Sequence, residues 1–429
     1  MSYGRRSVAS IVLLGLAVRE GLSFWTGHPS DFELWVRLGF AVVHGINPYQ
    51  PIPPVAGLSF ANVYSSINNP TIAYLPFWPM VTGLMYLTFS AIGIDNRFLY
   101  YFLLKQPIII GDVALGILLF YYVRSRNLAL AKRALCFWMF CPVPIIIAGA
   151  WGMFDSIAMA FVVLALLVRR KPYRALWSGL AIFAKSIPII FALPLTFNKR
   201  SDWKWFVVTL VIPLVGLEIF LSAERLPSNV VFATLFSTVG KGGESMSAWD
   251  ILFYLTNVKI INPISAAYRI LGIIWIPAIL TFTALAYRKF RVDSDYGLVQ
   301  SLLILILSFL IFKGRVAEQY SIYLLALSVI DVSVWSQSRR WLLVATAGVT
   351  FLYLLSNNFL LIRFLSPVDP VYLQMEAQIS QRLGNLRLFT NLISGLAFTC
   401  LNLCYLAKIL NATDKPNGEH QPLVDQKLV

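Results

Sequence analysis

Charged residues are scarce in this sequence. Only 13% of its 429 residues are Asp, Glu, Lys or Arg, whereas about 25% are charged in an average soluble domain. Apolar residues make up 58% of the chain, and the stretches 108–123, 158–168 and 301–312 carry few charges or none. A soluble domain of any size is therefore excluded, and the composition predicts an all-α, polytopic membrane protein.

Cysteine is also rare, with four residues in the whole chain. Cys136, Cys141, Cys400 and Cys404 all fall in apolar segments. Cys400 and Cys404 would share a helix face, but no histidine lies near them in sequence. The pattern favours packing residues over a zinc site or a disulfide framework.

The first apolar segment, Ser7–Trp25, has no cleavage site of small residues. It is also slightly long for the apolar part of a signal peptide, so we expect it to be retained as the first membrane span.

The net charge of +15 does not by itself indicate nucleic acid, and no nucleic-acid partner is expected. Lys and Arg of membrane proteins collect in cytoplasmic loops, and here they form short, sharp clusters. If all of these clusters lie inside, about ten full spans alternate across the membrane. The predicted spans are 7–25, 98–123, 134–149, 154–168, 205–222, 263–287, 298–312, 319–335, 341–359 and 386–410.

This alternation requires the whole of 26–97 to stay outside. The apolar piece Pro70–Ser90 is then a pair of interfacial helices, and Leu176–Phe197, interrupted by Lys185 and Pro188, is a re-entrant hairpin that enters and leaves on the inside. A competing topology makes Pro70–Ser90 a full span, but it would place the basic clusters 124–133 and 169–174 outside.

The predicted organisation is one transmembrane domain, 1–410, with a cytoplasmic tail, 411–429. Within the domain, 26–97 is the first outside loop and 223–262 a second. The second contains the polar stretch 240–245 and is interpreted either as a lid or as a mere connector. The sequon at Asn411 should stay unmodified if the tail is inside.

The outside face gathers the residues that carry chemistry. Asp31 and Glu33 follow the first span directly. They are interpreted either as helix capping, with Ser30 or Asp31 as the N-cap and the acids in the first turn, or as catalytic carboxylates with Asp31 as general base. Lys313 and Arg315 lie in a short outside loop, where basic residues are disfavoured. They would bind a phosphate, or they would form a salt bridge to Glu318 or to another acid.

Further candidates lie in or beside the spans. Lys185 within an apolar stretch is a functional candidate by default, here for the phosphate, unless it snorkels to the cytoplasmic surface. Asp155 begins a span and is either a helix cap or a supporting residue. Asp112, halfway through a span, should face the bundle interior and pair with a residue such as Lys185.

Acids and bases around an outside, half-membrane cavity suit glycosyl transfer from a lipid phosphate sugar. A carboxylate would deprotonate an acceptor hydroxyl, and cations would stabilise the leaving phosphate.

Several stretches, in order, resemble the multi-span glycosyltransferases of the GT-C type, most of all the catalytic subunit of GPI mannosyltransferase I, and more loosely the dolichyl-phosphate-glucose glucosyltransferases. The resemblance covers roughly residues 25–330. It is carried by these stretches: Asp31-Phe-Glu33, Gly45-Ile-Asn47-Pro-Tyr49, Asn69 to Pro76, Gly111-Asp112, Phe137-Trp138, Pro142-x-Pro144, Asp155-Ser-Ile157, Gly179 to Pro188 with Leu193-Pro194, and Gln319-Tyr320 after Lys313 and Arg315.

The resemblance implies a GT-C fold and an inverting transfer of a hexose, with mannose expected, from dolichyl phosphate to a lipid-linked glycan or glycoconjugate. It implies supporting roles for Asp112, Asp155, Gln319, Tyr320, Asn47 and Tyr49, contact with membrane lipids, and room for a small membrane partner subunit. The first-loop pair is Asp-x-Glu rather than Asp-x-Asp, which leaves a divalent cation at Asp31 and Glu33 as one option. Ala317-Glu318 replaces the His-Glu pair of the glucosyltransferases and argues against that branch.

Two rivals from other classes remain. The same architecture serves a non-catalytic, glycolipid-binding subunit of the GPI transamidase, which would not need Asp31, Glu33, Lys185 and Arg315 together. A transporter or flippase would be favoured by an inverted repeat, and none is visible. The enzyme would reside in the endoplasmic reticulum of a eukaryote or the plasma membrane of a prokaryote.

Overall fold

The protein is described by a computed structural model for residues 2–61, 72–226, 245–257 and 272–412, and within these ranges it is helical without a strand. The helices are α1 (Ser2–Ser23), α2 (Asp31–Val43), α3 (Phe77–Ile92), α4 (Arg97–Arg124), α5 (Leu128–Phe140), α6 (Pro142–Trp151), α7 (Asp155–Leu167), α8 (Lys171–Ala184), α9 (Ile189–Thr196), α10 (Trp203–Ala223), α11 (Asp250–Asn257), α12 (Trp275–Lys289), α13 (Asp295–Phe312), α14 (Ser321–Val334), α15 (Arg340–Asn357) and α16 (Val371–Leu410).

Membrane spanning is confirmed, but the predicted number of spans is not. Among the described residues, four helices are long and apolar enough to cross a membrane, or up to six if each bent pair of helices is one span. The four contain α4, α10, α13 and α16, and the bent pairs are α5 with α6 and α15 with the segment Phe359–Leu365. The chain is therefore an integral, multi-pass membrane protein, although about ten full spans are not established.

Local sequence signals explain where several helices begin and end. Asn96 and Asn127 accept hydrogen bonds from the first backbone amides of α4 and α5, and Ser294 does the same for α13. These are preferred N-cap residues because a short polar side chain satisfies an amide that has no intrahelical partner. Gly93 ends α3 with a φ of +71°, a conformation that glycine adopts without a steric penalty.

Helix α13 lies at the centre of the bundle and is buried along nearly its whole length. Helix α10 lies at the periphery, where Leu214, Val215 and Ile219 are exposed. Exposed aliphatic side chains on a long apolar helix suit contact with lipid. We therefore expect this face of α10 to contact the lipid acyl chains.

The apolar segment 176–197 breaks at the predicted position. Helix α8 ends at Ala184, Lys185 is extended, and α9 begins after Pro188. The segment 26–97, predicted as the first outside loop, contains α2 and α3, which pack against each other. The predicted pair of helices over Pro70–Ser90 is wrong, because the described part of Pro70–Ser90 holds one helix, α3. Four predicted features lie outside the described residues in whole or in part. They are positions 69–71 of the motif Asn69 to Pro76, the stretch 240–244, the first part of the predicted span 263–287 (263–271), and the tail from 413, which includes Thr413 of the sequon.

Candidate functional site

Four breaks between helices bring polar side chains together at one end of the bundle. Asp31 begins α2, Asp155 begins α7, Lys185 follows α8, and the segment 313–320 connects α13 to α14. Helix termini are suitable places for such groups because their backbone amides and carbonyls are not used within the helix. We call Asp31, Asp155, Lys185 and Arg315, together with Arg363 from the segment Phe359–Leu365, the charged cluster.

The start of α2 is fixed by His28 rather than by the predicted cap. The Ser30 hydroxyl makes no cap hydrogen bond. Instead, the backbone amides of Ser30 and Asp31 both donate to Nδ1 of His28, at 3.2 Å each. Because Nδ1 accepts these bonds, the ring proton is assigned to Nε2. The Asp31 carboxylate is therefore not used for capping.

The Asp31 carboxylate is held by Trp151, the last residue of α6. The indole Nε1–H donates to Oδ2 of Asp31 at 2.9 Å. The π-helical turn that ends α6 brings Trp151 to this place. Lys105 fastens the surrounding loops, because its ammonium group donates to the carbonyls of Thr26 and Gly149.

Asp31 is the exposed acid of the charged cluster. Its side chain is 31% exposed, whereas that of Asp155 is fully buried. Its apolar surroundings raise the pKa of the Asp31 carboxyl, opposed in decreasing order by the Trp151 hydrogen bond and by the charges of Lys185, Arg315 and Arg363. A carboxylate with a raised pKa is a better proton acceptor than an ordinary aspartate.

Lys185 is buried and forms an ion pair with Asp155. Its Nζ lies 2.5 Å from Oδ2 of Asp155 and 4.8 and 5.3 Å from the ring centroids of Phe154 and Tyr74. The predicted partnership with Asp112 is wrong, and so is snorkelling to the surface, because the side chain is only 3% exposed. Lys185 therefore adds its charge to the cluster from inside.

Asp112 lies deep in the bundle, as expected, but its partner is Arg19. Nε of Arg19 donates to Oδ2 of Asp112 at 2.7 Å, and the Ser156 hydroxyl donates to Oδ1 at 2.6 Å. Both charged side chains are fully buried. With both oxygens bonded inside the helix bundle, Asp112 is placed to tie α1, α4 and α7 together.

Arg315 is exposed, and within the described residues it forms no ion pair. The alternative bridge to Glu318 is not formed: Glu318 is buried and accepts from Nδ2 of Asn357 at 2.6 Å. Lys313 lies 5.2 Å from the ring centroid of Trp275, and burial, with the charge of Arg315 second, lowers the pKa of its ammonium to about 8.

Two tyrosines that follow Arg315 lie close to the cluster. Tyr320 lies within electrostatic range of Asp155, Arg315 and Asp31. Tyr323, one turn along, is buried close to Asp155. Gln319 is buried, and its carbonyl oxygen has no hydrogen-bond partner among the described residues.

Glu33 lies apart from this cluster. Its carboxylate is fully buried, with Oε1 2.6 Å from Nε of Arg37 and Oε2 accepting from the amides of Phe60 and Ala61. All of these contacts are inside the first outside loop. This geometry fits a structural role, because neither oxygen is left for substrate.

Asn47 and Tyr49 also hold this loop. Oδ1 of Asn47 accepts from the amide of Tyr49 at 2.9 Å, which is a turn typical of asparagine. The Tyr49 hydroxyl donates to the carbonyl of Tyr74 at 3.2 Å. Through Tyr74, whose ring faces Lys185, Tyr49 supports the cluster without entering it.

A cation held by Asp31 and Glu33 together does not fit this arrangement. Glu33 directs both oxygens at Arg37 and at backbone amides, away from Asp31. In the described part of the chain, no group of three or more His, Cys, Asp or Glu side chains is placed to hold a metal ion.

Three residues of the site were not found from the sequence: His28, Trp151 and Arg363. Arg363 carries the same sequence signal as Arg315, because it is a basic residue between two predicted spans, 341–359 and 386–410, on the face predicted to be outside. Trp151 lies between the predicted spans 134–149 and 154–168, but nothing in the sequence pattern indicates a role for it. Nothing in the sequence pattern distinguishes His28, since its function depends on the backbone turn between Pro29 and Asp31.

No protein-family profile matches this sequence, and no curated protein is significantly similar to it. Among solved structures, ArnT from Cupriavidus metallidurans bound to undecaprenyl phosphate superposes with a TM-score of 0.47 and 13% identity, over 94% of this chain and 77% of that one. A TM-score below 0.5 is too low to assign this chain the fold or the chemistry of ArnT.

Proposed function

We propose that this protein is a glycosyltransferase of the GT-C type that transfers a hexose, with mannose as the first candidate, from a polyprenyl phosphate carrier to a lipid-linked glycan or glycoconjugate on the non-cytoplasmic face. One observation carries the proposal. Asp31, the exposed carboxylate of the charged cluster, stands among the charges of Lys185, Arg315 and Arg363 at the end of a membrane bundle. A reaction in which a phosphate is the leaving group needs a carboxylate to accept the proton of the attacking hydroxyl and cations to stabilise the phosphate. The charged cluster contains both.

Charge compensation singles out Arg315 for the donor phosphate. Lys185 is paired with Asp155, and Arg363 with Glu376. Arg315 has no carboxylate partner within the described residues and is exposed. A planar guanidinium binds phosphate through two parallel hydrogen bonds, so Arg315 is the group that an incoming phosphodiester would meet, with Lys313 two residues away.

The proposed reaction is a single displacement. The acceptor hydroxyl gives its proton to Asp31 while its oxygen bonds to the anomeric carbon of the sugar. The bond between that carbon and the phosphate oxygen breaks on the opposite face, so the configuration inverts. The polyprenyl phosphate leaves as a monoester with one more negative charge, which Arg315 and Lys185 stabilise.

The first experiment measures transfer of labelled sugar to extracted lipid acceptors by the purified protein, from dolichyl phosphate mannose and, in parallel, from dolichyl phosphate glucose. Transfer from either donor that is lost in Asp31→Asn supports the proposal, and the preferred donor identifies the sugar. If the wild-type protein binds a donor but transfers no sugar, the glycosyltransferase proposal is wrong and a glycolipid-binding subunit is favoured instead. Neither binding nor transfer from either donor would refute both proposals.

A further inference from the structure

The carboxylate of Asp31 has two unequal oxygens. Oδ2 accepts the indole N–H of Trp151 at 2.9 Å, whereas Oδ1 has no hydrogen bond to the described residues. Trp151 is only 5% exposed, so the surrounding residues fix the position of its ring. The arrangement fixes one oxygen and leaves the other at the exposed side of the cluster.

Trp151 is itself held by His28. The two rings stack with centroids 4.8 Å apart and planes 22° from parallel, and the amide of His28 donates to the carbonyl of Trp151 at 3.2 Å. The same imidazole accepts the amide of Asp31. One histidine therefore fixes both the backbone of the acid and the ring that holds its side chain.

A second layer fixes the stack. Phe364 packs its ring against both His28 and Trp151, with centroids 5.8 Å from each, and its carbonyl accepts the amide of Gly27 at 2.8 Å. Lys105 holds the carbonyls of Thr26, Gly149 and Ala150, which flank the stack in sequence. The stack of His28 and Trp151 is therefore held by Phe364 on one side and by the loops that Lys105 binds.

We propose that Trp151 is a positioning residue that holds Oδ2 of Asp31 and thereby presents Oδ1 to the hydroxyl of a carbohydrate acceptor, with His28 keeping the two in register. This inference rests on the proposed function, because it assigns the orientation of the base. The proton of the acceptor would be taken up by Oδ1, and the hydrogen bond from Trp151 to Oδ2 would be kept throughout.

The hydrogen bond also sets the pH at which the base works. An N–H donated to a carboxylate favours its charged form, so loss of the indole N–H should raise the pKa of Asp31 further. The ionisable groups that face Asp31 from the elements around it are His28, Lys185, Arg315, Tyr320 and Arg363. Burial, and second the charge of Arg363, hold the pKa of His28 well below its usual value, so His28 stays neutral. It therefore does not cause the fall in transfer rate at low pH, which we call the acid limb of the pH profile.

The test is the pH dependence of sugar transfer from labelled dolichyl phosphate mannose, or from the glucose carrier if that is preferred. Trp151→Phe keeps an aromatic ring against His28 but loses the N–H. We expect its acid limb to move up by about one pH unit or more, which is the change of one hydrogen bond to a charged group. Trp138→Phe is the matched control, because Trp138 is a buried indole that donates to the carbonyl of Asp112 at 3.1 Å, remote from Asp31.

An acid limb of Trp151→Phe at the wild-type pH would overturn the positioning role while leaving the proposed function intact. If Trp151→Phe does not fold, benzothienylalanine at 151 replaces N–H by sulfur in a ring of the same shape, and the same shift is expected. Failure of the proposed function would be a different result, with no sugar transfer from either donor by the wild-type protein at any pH. Full transfer by Asp31→Asn would refute Asp31 as the base, and with it the positioning role of Trp151.

Discussion

Lys185 and Asp155 form a buried ion pair, with Nζ of Lys185 2.5 Å from Oδ2 of Asp155. The pair connects the break between α8 and α9 to the start of α7. Each residue is therefore required by the other, since a single buried charge is far more costly than a pair.

Removal of one partner should destabilise the protein more than removal of both. Lys185→Met leaves the Asp155 carboxylate buried without its cation and should cost about 3–5 kcal/mol of unfolding free energy. Lys185→Met combined with Asp155→Asn should regain most of this loss. The unfolding free energies of the wild-type protein, the two single variants and the double variant are compared by thermal unfolding in detergent. The exposed pair Arg291 and Asp293 is the control, and Arg291→Met should cost about 0–1 kcal/mol. Simple additivity of the two buried changes would contradict the coupling.

Asp31→Asn should leave the fold intact and remove the base. The amide keeps the acceptor oxygen for Trp151 but cannot take a proton, so transfer should fall by about 10²–10⁴-fold, which is the usual contribution of a general base. The measurement is initial rate at saturating donor, with unfolding temperature as the control for folding. A rate near wild type in a folded Asp31→Asn protein would refute the role.

Glu33→Gln should affect stability rather than chemistry. It leaves the guanidinium of Arg37 buried without its charge partner, so we expect a loss of about 3–5 kcal/mol. The turnover of the fraction that folds should remain close to wild type. Active-site titration before the rate measurement separates the two effects. A stable Glu33→Gln protein with greatly reduced turnover would place Glu33 in the reaction instead.

Arg315→Ala should weaken donor binding, because Arg315 is exposed, its charge acts on Asp31, and it has no partner carboxylate in the described part of the chain. The expected loss is about 1.5–3 kcal/mol, as for a hydrogen bond to a charged group. Arg315→Lys should recover only part of it, since it lacks the planar fork. Glu318→Gln, measured in the same binding assay, is the control, because Glu318 bonds to Asn357. Equal and small losses in both variants would argue against phosphate binding.

Donor binding should weaken as pH rises through about 8. Burial, and second the charge of Arg315, lower the pKa of Lys313 to about 8. Lys313 is therefore charged below that pH and neutral above it. Its attraction for an anionic donor is lost as the pH rises. The donor KM should rise across this range in the wild-type protein and remain flat in Lys313→Gln. A rise of the same size in the variant would assign the effect to another group.

The sequence predicted the helical membrane class, the break near Lys185 and the common face of Asp31, Asp155 and Arg315. These follow from hydropathy and from the parity of basic loops, which do not depend on side-chain packing. Pairing was harder to predict. Asp112 joins Arg19 rather than Lys185, and Glu33 joins Arg37, because partners inside a bundle depend on the rotation of each helix.

The residues that hold Asp31 could not be derived in this way. His28 acts through a backbone turn, and Trp151 reaches Asp31 only because the end of α6 is a π-helix. An extra residue in one helical turn rotates every side chain that follows, and sequence periodicity does not reveal where such a turn occurs.

Helix α16 has 40 residues, which gives it a length of about 60 Å, roughly twice the thickness of the hydrocarbon core. Its first half is mostly exposed, and its second half is anchored in the bundle. Glu376 on the exposed half holds Arg363 at 2.5 Å, and the charge of Arg363 acts on Asp31. The projecting half of α16 therefore contributes to the electrostatic environment of Asp31, because Glu376 fixes the position of the Arg363 guanidinium.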